Sequence, residues 1–249
     1  MKKLILICLI LNTLFVSCSK KIDQVTVKEK NKTIKLKRYG SEKDGFYEYT
    51  YNGNQMIKEK YSGNSSNSPK ILTLSYQSNG RLKEAHTDFL GKSTNIRSEY
   101  IFDNDRVVRI STYYDATNEL LSYTLREYPT GKVINKVFSK QDVLIQKNEY
   151  ILTADGKNYT ALKSFSGETS SYTANILKVD DKQSPFRLFP TGYFPFTNTN
   201  NAINVDFIFP NPASNQSSQL TLEYNEFGYP TKETNQNGVV LRIFEYIIE

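Results

Sequence analysis

Apolar and polar positions alternate with a period of two over most of this chain. From about residue 24, the runs VTVKEK, TIKLKR, FYEYTY, ILTLSY, LLSYTLREY, KVINKVF and INVDFIF mix apolar and polar residues in near alternation. Tyr, Phe, Ile, Val and Thr fill many of these positions, as in strands with one packed face and one wet face. No window of a dozen residues keeps a helical stripe. Short turn signals separate the runs: NGN at 52, QSNG at 77, DND at 103, PTG at 129 and ADG at 154. The pattern predicts an all-β protein.

A second, longer period overlies the first. LTLSYQSNGRLKEAHTDF, from Leu72, returns loosely as LTLEYNEFGYPTKETNQN from Leu220. An aromatic residue, a turn and a polar strand recur from Tyr51, Tyr76, Phe102 and Tyr128, at spacings of 25, 26 and 26 residues. Leu152 follows after 24 as a degenerate member, and Tyr224 comes 72 residues later, three further periods of 24. One β-hairpin per period accounts for this self-similarity. A lone hairpin is marginal in water, so each unit needs neighbours to bury its apolar face. Gly53, Gly80, Gly131, Gly156 and Gly228 fall in or beside the turns, where positive φ is commonly required, and Asp105 takes that place in DNDR. The expected fold is a many-stranded antiparallel meander of repeated hairpins, either a curled sheet or a water-soluble barrel.

The N-terminal stretch supplies an address. MKKLILICLILNTLFVSC has two early lysines and an apolar run, Leu4 to Phe15, too short and too interrupted for a comfortable membrane span. Leu14-Phe15-Val16-Ser17-Cys18 resembles the lipobox of bacterial lipoproteins, in which the cysteine is acylated and becomes the mature N-terminus. Residues 1–17 then form a signal peptide, 18–23 a short tether and 24–249 a single all-β repeat domain. Cys8 leaves with the signal and Cys18 carries lipid, so no disulfide, cysteine nucleophile or thiolate metal site remains. Acyl chains, at about 0.8 kcal/mol per buried methylene, hold such a protein on a bilayer without a spanning helix.

The cadence Y-x-x-x-G-[RK]-[LV] in SYQSNGRL, and in EYPTGKV with one residue fewer, is similar to YD repeats of the RHS type, which wind a long β-sheet. The lipobox, these repeats, DDKQSPFRLFP and TNTNNAI together resemble a family of bacterial envelope lipoproteins of unknown function with a porin-like fold. The resemblance covers most of the mature chain through short motifs. It implies a meander that curls toward a barrel, and no activity. A lipid-facing barrel needs an apolar outer band, yet QMIKEKY and RLKEAHTD carry charge on both faces, at about 2–4 kcal/mol per mid-membrane Lys or Arg. The chain also ends in FEYIIE, whereas porin-type barrels resemble one another in ending on an aromatic residue.

Charge adds little. The net value of +6 becomes about +4 without Lys2 and Lys3, with one concentration at KEKNKTIKLKR. Its alternation points to the solvated face of a hairpin, and nucleic acid is not an expected partner. The expected partners are a membrane, through the anchor, and a glycan, peptide or envelope-protein ligand. The order Ser19-Lys20-Lys21-Ile22-Asp23 favours the periplasmic face of the outer membrane over the cell surface.

Candidate chemistry is sparse. His86, the only histidine, shares one strand face with Glu84 and Asp88, a set that suits acid–base work, a weak metal site or a plain solvated face. Asp103, Asp105, Asp180 and Asp181 lack the spacing of a calcium loop. No metal or cofactor is expected. The stretch of about 180–218 differs from the rest: SPFRLFPTGYFPFTNTNN gathers Phe186, Phe189, Tyr193, Phe194 and Phe196 with three prolines. These aromatics make either a ligand platform over a concave sheet or a plug that closes one end of the core. The functional expectation is a non-enzymatic binding or scaffold lipoprotein. Two alternatives remain: a hydrolase using Glu84 with Asp88 or Asp180 with Asp181, or a purely structural envelope protein.

Overall fold

Each alternating run forms a strand because its apolar side chains fall on one face and can pack together only if neighbouring runs pair beside it. The structure, a computed structural model, describes residues 32–64 and 67–249. The signal segment, Cys18, the tether and the VTVKEK run lie outside the described residues. Sixteen strands follow within Thr33–Glu249. The first four are β1 (Ile34–Ser41), β2 (Gly45–Asn52), β3 (Gln55–Tyr61) and β4 (Lys70–Tyr76). Next come β5 (Leu82–Phe89), β6 (Ile96–Asp103), β7 (Arg106–Tyr114) and β8 (Leu120–Glu127). Then follow β9 (Lys132–Ser139), β10 (Leu144–Leu152), β11 (Tyr159–Ser166) and β12 (Thr169–Gln183). The last are β13 (Asn200–Ile208), β14 (Gln216–Tyr224), β15 (Pro230–Asn235) and β16 (Val240–Ile248).

Every strand pairs antiparallel with its neighbours in sequence, and β1 pairs with β16, so the meander is a closed barrel. At the seam Tyr39 stands opposite Phe244, and their rings stack at 5.9 Å. The hairpin is the repeating unit, and it carries one device again and again. The register skips a residue just before the aromatic of the unit, between Thr50 and Tyr51, Ser75 and Tyr76, Ile101 and Phe102, and Glu223 and Tyr224. The same skip precedes Leu152. These are β-bulges, with the extra residue on the returning strand: Ile57, Lys83, Val108, Thr231 and Thr160.

With a bulge at Tyr51 and Tyr76 and without one at Tyr128, the aromatic reaches back into the barrel wall. Tyr51 Oη donates to the Leu36 carbonyl (2.8 Å), Tyr128 Oη to that of Val107 (2.8 Å) and Tyr246 Oη to that of Pro230 (2.7 Å). Tyr76 Oη donates to the Met56 carbonyl in the same way. The four accepting residues are fully buried, so each hydroxyl satisfies a backbone group that water cannot reach. Phe102 and Leu152 hold the corresponding place without a hydroxyl. The turn glycines have positive φ as expected, but in DNDR the left-handed residue is Asn104 (φ 52), not Asp105. Asp103 pairs with Arg106, so a two-residue connection sets positive φ at its first central position.

The stretch from 180 to 218 is partly strand: β12 runs to Gln183, and β13 and the start of β14 fall within it. Only 184–199 and 209–215 stand outside the sheet. The up-and-down order puts the 184–199 segment at the same barrel end as Thr33 and Glu249, whose backbones are hydrogen-bonded to each other. Sixteen strands enclose a space wide enough for an aqueous channel. Here aromatic side chains and the 184–199 segment fill much of it. Tyr47, Tyr49, Tyr51, Leu74, Tyr76, Tyr100 and Phe244 point inward, while Glu48, Thr50, Lys60, Thr73 and Ser75 alternate outward.

Candidate binding cavity

The 184–199 segment cannot extend the sheet, because Pro185, Pro190 and Pro195 remove backbone donors at short intervals. It folds instead into the lumen. A 3-10 turn over Pro185–Leu188 starts it, and its aromatics pack on one another and on the wall. Phe186 meets Tyr39 edge-on at 5.5 Å, and Phe189 meets Tyr49 edge-on at 5.0 Å. Phe189 stacks on Tyr193 at 5.2 Å, and Phe194 packs edge-on against Phe186, Phe189 and Tyr193. Phe196 leans the other way, toward Tyr150 and Tyr159. Gly192 (φ +90) is required where the segment touches β7: a Cβ there would lie 2.3 Å from Val107 Cγ2.

Two charged side chains pin the plug from different parts of the wall. Glu59 on β3 accepts the Tyr193 hydroxyl at 2.5 Å, and Arg126 on β8 donates to the carbonyls of Gly192 (2.9 Å) and Phe194 (3.3 Å). Arg126 Nε also donates to Asn135 Oδ1 at 3.0 Å. Burial pushes the Glu59 carboxyl up, against the opposing effect of the Tyr193 hydrogen bond. Burial likewise lowers the Arg126 guanidinium from its ordinary value. Tyr49 and Tyr193 are driven far above the usual phenol range, first by burial and then by the nearby Glu59. Further along, Asn198 Oδ1 accepts from Tyr159 N (2.8 Å), and Asn158 and Asn200 bond reciprocally.

Beyond the plug the lumen holds a cavity of about 740 Å³. Tyr39, Tyr47, Phe186, Phe194, Phe196 and Phe244 give it aromatic walls, and Asn198, Asn200 and Asn201 give it amides. Arg242 Nη1 lies 3.4 Å from Glu233 Oε2, its register partner on the neighbouring strand, on one wall of the cavity. Burial raises the Glu233 carboxyl, and Arg242 opposes that rise. Ser41 and Asp44 of the β1–β2 turn and Asn64 and Asn67 of the β3–β4 loop also line it, at the end away from Thr33. Smaller cavities flank the plug on other sides, one of about 520 Å³ beside Tyr76 and Phe102 and one of about 300 Å³ beside Val107 and Arg126.

The structure distributes the residues singled out from sequence. Phe186, Phe194 and Phe196 line the large cavity, whereas Phe189 and Tyr193 pack beneath it. Glu84, His86 and Asp88 alternate on the outer face of β5. There His86 Nε2 lies 3.3 Å from Glu84 Oε1, and its Nδ1 lies 3.6 Å from Asp115 Oδ1. Asp103 flanks the β6–β7 turn, and Asp105 within it is held 2.7 Å from Arg81 Nη2. Asp180 is occupied by Asn201, Lys182 N and the Tyr224 hydroxyl, and Asp181 faces Lys182. Among the described residues no group of three or more His, Cys, Asp or Glu is placed to hold a metal ion. Among the described residues, Glu59, Arg126, Glu233 and Arg242 are four lumenal charges that the sequence reading missed.

No family model matches the chain. No curated protein matches it either. Among solved structures the chain is similar to a porin-like protein from Bacteroides vulgatus ATCC 8482, with a TM-score of 0.51 and 8% sequence identity. The match covers 86% of this chain and 98% of that one. At this identity the likeness is one of fold: a porin-like barrel.

Proposed function

We propose that this chain is a non-enzymatic binding module of the bacterial cell envelope, held to a membrane through lipid on Cys18. Its barrel holds a small glycan or peptide in the lumen instead of conducting through it. The observation that carries this reading is the plug. Arg126 and Glu59 clamp it from within the barrel wall, and an aromatic and amide-lined cavity of about 740 Å³ is left on one side. That volume suits a ligand of a few rings, and the few polar groups among aromatics are the usual make-up of a small-molecule site.

The outer wall supports an aqueous setting. Arg97, near the start of β6, pairs with Glu99 and with Glu84 of β5, Lys147 on β10 pairs with Glu149 and with Glu168 of the β11–β12 turn, and Lys232 on β15 pairs with Glu223 of β14. Such charges on a lipid-facing wall would cost about 2–4 kcal/mol per basic residue at mid-membrane. The carboxylate pairs that a hydrolase would need lie on that outer wall or are already hydrogen-bonded, which favours the binding reading. The lipobox and its basic sequel favour an outer-membrane anchor facing the periplasm.

A thermal-shift screen of soluble glycans and peptides tests the proposal, run on the full chain and on Ala202→Trp, which fills the cavity. A ligand that stabilises the first and not the second is the expected result. A ligand that stabilises both alike does not occupy the cavity, and steady conductance in a planar bilayer would replace binding with transport.

A further inference from the structure

The cavity of about 300 Å³ beside Arg126 has a different chemistry from the large one. Three arginines line it: Arg106 at the start of β7, Arg126 on β8 and Arg187 in the 3-10 turn of the plug. Thr191 and Thr197 bring hydroxyls to the same lining, while the Tyr128 hydroxyl is already donated to the Val107 carbonyl. Arg126 is 6% exposed, and none of its hydrogen bonds goes to a carboxylate: its partners are Asn135 and the Gly192 and Phe194 carbonyls. Arg106 lies over the Tyr128 ring at 5.0 Å, and Arg106 and Arg187 are both exposed. Among the described residues, none of the three makes an ion pair. The one carboxylate on the lining, Asp105, is taken by Arg81 at 2.7 Å.

A buried guanidinium without a counter-charge is costly to keep, and neutral carbonyls offset only part of that cost. One buried and two exposed arginines on the lining of one small cavity bring more positive charge there than a single carboxylate can balance. Planar N–H forks, with hydroxyls beside them, match the oxygens of a tetrahedral dianion. We propose that this cavity is an oxyanion site that takes a phosphate group. It is separate from the large cavity and does not depend on what that cavity holds. Because Arg126 also grips the plug through Gly192 and Phe194, phosphate bound there tightens the plug against the wall. The site opens at the barrel end where Thr33 emerges, so the phosphate has two sources: a free ion or a phospholipid headgroup.

Calorimetric titration of the full chain with inorganic phosphate, against chloride at equal ionic strength, tests the site. Dihexanoyl phosphatidic acid below its micelle concentration forms the second arm. Saturable binding of phosphate is expected, weakened at least tenfold in Arg106→Ala/Arg187→Ala, a double variant at exposed positions whose circular dichroism should match the parent. Tighter binding of the phosphatidic acid assigns the site to a lipid headgroup, and equal or weaker binding assigns it to free phosphate. No saturable binding in either arm overturns the proposal. So does undiminished binding by the double variant, or preference for citrate over phosphate.

Discussion

The two faces of these sixteen strands are held together by different physics. The inner face is joined by rings and phenol hydroxyls: Tyr39, Tyr47, Tyr61 and Phe244 stack in a row, and Tyr51, Tyr128 and Tyr246 bond to buried carbonyls. The outer face is joined by ion pairs such as Lys232 to Glu223 (2.5 Å) and Lys136 to Glu127 (2.6 Å). A membrane pore arranges these the other way, with an apolar band outside and a polar lumen. The closed barrel therefore specifies a shape, and the bulges decide which chemistry faces which solvent.

The largest effects should come from the inner face. Phe189→Ala removes a ring packed against Tyr49, Phe186, Tyr193 and Phe194, and truncations of this kind cost about 3–5 kcal/mol. Ile101→Ala removes a comparable apolar side chain from the outer face, where Ile101 is 51% exposed, and should stay within about 0.5 kcal/mol. Urea unfolding of both variants measures the contrast, and equal losses would erase the distinction between the faces. Tyr246→Phe comes next. It leaves the Pro230 carbonyl buried without its donor, a loss of about 1–3 kcal/mol.

The inner face also sets the response to pH. Burial holds the folded-state pKa of Glu59 above its ordinary 4.5, so the folded state keeps a proton that the unfolded chain releases. Stability tied to this residue is full below pH 4.5 and falls as pH rises through the folded pKa. Glu59→Gln should flatten that fall while keeping an acceptor for Tyr193. Tyr39, Tyr76 and Tyr150 are pushed up to about 12, each mainly by burial, so tyrosinate absorbance should lag until the barrel opens. Stability should accordingly drop as pH climbs above 10, the ordinary phenol value. A smooth titration near that value, with the fold intact, would contradict an inner face packed with phenols.

Much of this barrel is legible in the sequence, and the failures have a common cause. Alternation marks the strands, and the period of about 25 residues marks the hairpins, because both are local patterns. Glu59 escapes such a reading. Counted from Met56 by twos, Lys58 and Lys60 belong inside and Glu59 outside; the bulge at Ile57 reverses this and turns Glu59 into the lumen. The same reversal at Lys83 puts Glu84, His86 and Asp88 outside. Closure is invisible for another reason, since the Ile34–Ile248 pairing joins the two ends of the described barrel with no local signal. The prolines and aromatics of 184–199 mark an insertion that will not be strand. That it turns into the lumen depends on Arg126 and Glu59, which stand far away in the chain.

The smallest expected effect is the most informative about the outer face. Lys232 pairs with Glu223 across β14 and β15, and both side chains are more than one third exposed. Exposed pairs of this kind contribute about 0–1 kcal/mol, because water and salt screen them. Lys232→Met removes the pair and places an apolar side chain opposite Ile243, which is itself 44% exposed. In water these two changes nearly offset, and urea unfolding should shift by less than about 1 kcal/mol. On a lipid-facing wall the same substitution would remove a misplaced charge and stabilise the barrel by about 2–4 kcal/mol in a bilayer. A near-zero shift in buffer, with no gain on adding liposomes, thus places the outer wall in water.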